Sequence, residues 1–97
     1  MKIVVLDGYT ENPGDLSWDA FKEFGEVIVY DRTSYVDADI IRERIGDAEI
    51  IIINKTPLTA KTFETCGNIR AVLVLATGYN VVDVNAAKER NIPVINV

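Results

Sequence analysis

Four consecutive isoleucines, Ile50 to Ile53, stand between Glu49 and Asn54. The run is too short for a helix and has no polar residue to turn toward water. β-branched residues bounded in this way predict a strand buried on both faces, near the centre of a parallel sheet. Residues 2–6, 27–30, 71–75 and 93–97 are runs of the same kind, with Pro93 at an allowed first position.

Between these runs the apolar period becomes helical. Leu16, Ala20 and Phe24 fall at i, i+4 and i+8 with Phe21 beside them. They predict a helix starting at Asp15 or Ser17 and stopped by Gly25, with Trp18 off the middle of its stripe. Ala38, Ile41, Ile45 and Ala48 mark the buried face of a second helix, capped by Asp37, with Gly46 near its end. Thr59 is placed to cap a third, with Leu58 and Phe63 spaced as a hydrophobic staple. A fourth runs from about Val84 to Arg90, capped by Asp83 and ended by Asn91 in a left-handed conformation. The order is βαβαβαβαβ, which predicts one α/β domain with a parallel sheet and right-handed crossovers.

Composition narrows the function. Hydrophobic residues make up 48% of the 97 residues, enough for a true core. The formal charge is −5, and the ten Lys and Arg are scattered. A nucleic-acid surface is therefore not expected. No apolar run is long enough to span a membrane, and Lys2 precedes too few apolar residues for a signal peptide. Cys66 is the lone cysteine, which fits a reducing, cytoplasmic setting and a packing role. There is no His, so acid–base catalysis near neutral pH lacks its usual group, and a zinc site lacks ligands.

Ligand-capable residues gather at three strand ends: Asp7-Gly8-Tyr9, Asn54-Lys55-Thr56 and Thr77-Gly78-Tyr79-Asn80. In a parallel sheet all three lie at the carboxyl edge, where α/β proteins bind ligands. Gly78 lets the backbone approach a ligand, and the N–H groups around Thr77 to Asn80 are candidates for holding a small anion. Lys55 brings a positive charge that, with backbone N–H groups, could hold a carboxylate. Alternatively, these turns simply connect elements and Lys55 is solvated. The glycines after the first strand, Gly8 and Gly14, do not form the G-x-G-x-x-G pattern of a dinucleotide site. A phosphoacceptor receiver domain shares this element order. However, Asp7-Gly8 lacks the acidic pair, Asn54 stands nearest the phosphorylated position, and no Lys follows the fifth strand.

Residues 1–10 (MKIVVLDGYT), 54–59 (NKTPLT), 76–83 (ATGYNVVD) and 87–97 (AKERNIPVINV) together resemble the amino-terminal part of NAD-dependent D-2-hydroxyacid dehydrogenases. The glycerate dehydrogenase, or hydroxypyruvate reductase, branch is the most similar. Asn91 departs from the family's usual Gly, a change compatible with a left-handed residue. The resemblance implies a flavodoxin-like substrate-binding (lid) domain with strand order 2-1-3-4-5. It also implies that the turn matching Thr77-Gly78 holds the substrate carboxylate through backbone N–H groups, and that the loop matching Asn54 to Thr56 faces the cleft. Asn54, Lys55, Thr56, Thr77, Gly78 and Tyr79 are the candidate substrate-binding residues.

The family's NAD-binding domain, with its catalytic Arg, Glu and His, follows the matched region. The chain is therefore expected to be a truncated lid domain, 1–97, without the closing helix and without catalytic or cofactor-binding residues of its own. Expected partners are a weakly bound 2-oxo or 2-hydroxy acid, the parent's nucleotide-binding domain, and a second copy of the chain. A stand-alone binding or scaffold module without catalysis is the competing expectation.

Overall fold

The computed structural model describes residues 1–7, 23, 25–30, 37–75 and 82–96. The first expected helix, with Trp18, lies outside the described residues. The described elements are β1 (Lys2–Val5), β2 (Glu26–Val29), α1 (Ala38–Ile45), β3 (Ile50–Ile53), α2 (Ala60–Thr65), β4 (Ala71–Val74), α3 (Val84–Glu89) and β5 (Val94–Asn96). All strands pair in parallel in the order β2-β1-β3-β4-β5, a flavodoxin-like sheet with the isoleucine strand at its centre.

Strand alternation sends the side chains to two unlike faces. Val4, Ile51, Ile53, Val72 and Val74 share a core with Ile41 and Ile45 of α1, Phe63 of α2 and Ala86 and Ala87 of α3. The opposite face buries Ile3, Val5 and Ile52, with Val27, Ile50, Leu73 and Leu75 half-buried around them. β4 is thus not buried equally on both sides: Val72 and Val74 are buried, whereas Ala71, Leu73 and Leu75 are intermediate. Ile95, in register with Leu73, is 48% exposed.

Three helix starts follow strands and face the carboxyl edge. The Asp37 carboxylate accepts from the N–H groups of Asp39 and Ile40, and that of Asp83 accepts from Ala86 N–H at 3.0 Å. Each supplies an acceptor for a helix donor that has no partner within the helix. Thr59 occupies the cap position of α2, but its side chain makes no capping bond; its Oγ1 lies 3.3 Å from Thr62 Oγ1 instead. Ala48 is buried but lies beyond α1, which ends at Ile45 ahead of Gly46. Asn91 adopts φ 57°, the left-handed conformation expected after α3. Gly25 has φ 148°, and a Cβ there would stand 1.8 Å from the Met1 carbonyl oxygen. That carbonyl accepts from Glu26 N–H at 2.9 Å, so the need for glycine comes from close backbone approach at the start of β2.

Candidate functional site

The parallel pairing of β1 with β3 sets Val5 against Ile52 and brings the two strand ends together. Leu6 N–H extends this pairing by donating to the Ile52 carbonyl at 3.0 Å. Beyond that point the side chain of Asp7 takes over from the backbone. Its Oδ2 accepts from the N–H groups of Asn54, Lys55 and Thr56 at 2.8, 2.9 and 2.9 Å. Its Oδ1 accepts from the Thr56 hydroxyl at 2.7 Å. Asp7 is 1% exposed and Thr56 is fully buried. Burying a carboxylate is costly unless charge-assisted hydrogen bonds surround it, and this loop provides them.

Successive N–H groups converging on one oxygen form an anion-binding concavity. Here the anion is the protein's own. The expected combination of loop N–H groups and Lys55 around a ligand carboxylate is therefore altered: the main-chain donors serve Asp7. The Lys55 side chain is exposed and has no ion-pair partner among the described residues, and Asn54 is half-buried.

Both flanks of the second candidate loop are tied to the same stretch. Leu75 N–H donates to the Ile53 carbonyl at 2.9 Å, and Asp83 N–H donates to the Leu58 carbonyl at 2.9 Å. Leu58 and Val82 also form an isolated parallel bridge. Thr77, Gly78 and Tyr79 lie between these anchors and outside the described residues, as does Asn80. The carboxyl edge therefore gathers the Asn54–Thr56 loop and both ends of the Thr77–Tyr79 loop.

The other chemically notable groups are accounted for. A polar depression of about 650 Å³ lies at the opposite edge, between Lys2, Glu26, Asp47, Glu49 and Arg70. Its cations are paired, Lys2 to Asp47 at 2.8 Å and Arg70 to Glu49 at 3.2 Å, so it is not the favoured ligand site despite its size. Cys66 is buried; burial pushes its thiol up from the ordinary value, with the nearby Arg42 charge opposing. It is a packing residue with little thiolate character. Among the described residues no cluster of His, Cys, Asp or Glu could hold a metal ion. No described helix is long and apolar enough to cross a membrane.

A sheet ordered 2-1-3-4-5 with alternating helices defines a flavodoxin-like α/β domain. The family model for D-isomer specific 2-hydroxyacid dehydrogenase, catalytic domain, matches residues 3–97, and the chain belongs to that family. It is 63% identical over all 97 residues to a hydroxypyruvate reductase of Blautia hydrogenotrophica, and spans 30% of that relative's length. Among solved structures it superimposes on the acyclic imino acid reductase Bsp5, in complex with NADPH and D-Arg, with TM-score 0.80 and 26% identity. That match covers 99% of this chain and 30% of Bsp5. An NAD+-bound 3-phosphoglycerate dehydrogenase of Entamoeba histolytica matches with TM-score 0.75 and 25% identity, covering 99% of this chain and 32% of that one.

Proposed function

We infer that the chain is the substrate-binding part of an NAD-dependent oxidoreductase that reduces hydroxypyruvate, or a similar 2-oxo acid, to the D-2-hydroxy acid. For hydroxypyruvate the product is D-glycerate. The observation that carries this reading is the 63% identity to a hydroxypyruvate reductase along the whole chain. The carboxyl-edge geometry supports it. Lys55 offers a cation for the substrate carboxylate, and Asn54 and Thr56 shape the same loop; the family resemblance adds Thr77, Gly78 and Tyr79 as substrate-binding residues. A small acid would be bound and oriented here, and the 2-oxo group would be presented to groups carried elsewhere in the parent.

After β1 the described Asp7 is a buried carboxylate held by the Asn54–Thr56 loop, and Gly8 and Gly14 do not form the G-x-G-x-x-G pattern, so neither favours a dinucleotide there. The NAD site and the acid–base group are therefore assigned to the parent's nucleotide-binding domain, and the parent to the cytoplasm. Self-association is also inferred. Ile95 is 48% and Val29 37% exposed on the less covered side of the sheet, and reburial gains about 25 cal/mol per Å².

The test is NADH oxidation with hydroxypyruvate, by residues 1–97 alone and by the longer parent polypeptide. The expected result is no turnover for the first and turnover for the second. Activity of the isolated chain, or a parent that ignores hydroxypyruvate and other 2-oxo acids, overturns the reading.

A further inference from the structure

We propose that Asp7 is a positioning residue that turns the Asn54–Thr56 loop from a main-chain anion binder into a side-chain one, so that this loop's share in recognising a substrate carboxylate falls to Lys55. The proposal rests on the functional reading above and adds the device by which that site selects its ligand.

Three N–H groups in a row, all within 2.9 Å of one acceptor atom, leave no donor for a second anion in the concavity. The Thr56 hydroxyl closes the other carboxylate oxygen. An arriving carboxylate would have to displace a buried one or sit beside it. Like charges at that range repel strongly where water is excluded. From this loop, a cation on its outer side is the remaining attraction for an anion. Lys55 provides it: its N–H is held by Asp7 at 2.9 Å while its side chain is exposed. Asp7 thus fixes the point from which the Lys55 chain departs, and keeps the loop backbone in one conformation when the site is empty. Such preorganisation lowers the ordering cost of binding.

The experiment is amide and lysine side-chain NMR of the 97-residue chain, titrated with oxalate as a dicarboxylate probe, in wild type, Lys55→Gln and Asp7→Asn. In wild type the Lys55 side-chain resonances should move with millimolar affinity, while the amides of residues 54–56 stay slow to exchange and nearly unshifted. Lys55→Gln should keep that amide pattern and weaken oxalate binding at least tenfold. Asp7→Asn should speed exchange of the three amides at least tenfold and make them respond to oxalate. Oxalate shifting those amides directly in wild type, with Lys55→Gln binding unchanged, would overturn the proposal. So would an unaltered exchange pattern in Asp7→Asn. If Asp7→Asn does not fold, the wild-type and Lys55→Gln titrations still decide between side-chain and main-chain recognition. No oxalate response of the Lys55 side chain in wild type overturns the Lys55 assignment, whichever other amides move. In that case hydroxypyruvate turnover by the parent tells whether the functional reading fails with it.

Discussion

Both ends of the sheet join distant segments through carboxylates, but in opposite ways. At the carboxyl end, Asp7 is buried and held by three main-chain donors and one hydroxyl. At the amino end, Asp47 meets Lys2 and Glu49 meets Arg70, with the Asp47 and Arg70 side chains 72% and 74% exposed. Water competes for the amino-end pairs and salt screens them, so they hold little of the fold. Water does not reach the Asp7 carboxylate or Thr56, so the Thr56 N–H and hydroxyl depend on Asp7. The buried carboxylate lies at the end that carries the candidate loop of Asn54 to Thr56.

The largest effect should separate the two ends outright. Asp7→Ala leaves the buried Thr56 N–H and hydroxyl without their acceptor, each costing about 1–3 kcal/mol when unpaired, and frees the part-buried Asn54 and Lys55 N–H groups as well. A loss on the order of 3 kcal/mol or more is expected in urea unfolding of the chain. Equal, small losses for Asp7→Ala and Asp47→Ala would break the comparison.

The position of Asp7 in this comparison could not be read from periodicity. The sequence marks Asp7 as the polar stop of a strand and Asn54 to Thr56 as a loop after another. Nothing in a spacing of 47 to 49 residues says which donors a carboxylate will meet. That information lives in the β1–β3 register, a tertiary fact. By contrast, the strands, the Asp37 and Asp83 caps and the left-handed Asn91 were legible because each rests on local chemistry, whereas the strand order came from the family resemblance. Thr59 shows the limit even there. The residue type fits a cap, but its hydroxyl meets Thr62 instead. Gly25 reads as a helix stop, but that helix lies outside the described residues; what the described geometry adds is its close approach to the Met1 carbonyl, which no local pattern announces. The Thr77–Tyr79 turn was singled out by its place at a strand end and by family resemblance, and it lies outside the described residues.

Gly25→Ala sharpens the comparison, because it places one demanding position at the tolerant end. A Cβ would overlap the Met1 carbonyl oxygen at 1.8 Å, and φ 148° is unfavourable for any L side chain. The strained backbone and the shift forced on Met1 should cost about 2 kcal/mol. The check is the unfolding midpoint together with the Glu26 amide, whose bond to Met1 should weaken. An unchanged midpoint and amide would show that the amino end yields even where backbone meets backbone.

The smallest effect belongs to the Lys2–Asp47 pair. The hydrogen bond from Lys2, and then its charge, hold the Asp47 carboxyl below its ordinary value. The same hydrogen bond holds Lys2 above its own, with desolvation opposing. For Asp47 the folded value is the lower one. Its contribution is therefore present above the unfolded-state value and lost as pH falls through the folded one. For Lys2 the folded value is the higher one, so its contribution is present below the unfolded-state value and lost as pH rises through the folded one. Asp47→Asn should accordingly lower the urea midpoint slightly at neutral pH and not at all in strong acid, where wild type has already lost the interaction. Because both groups face solvent, the neutral-pH difference should fade as salt shortens the Debye length to about 3 Å at 1 M. A difference that survives 1 M salt, or that grows in acid, would mean that the amino-end pair is shielded from solvent much as Asp7 is, and the contrast between the two ends would fail.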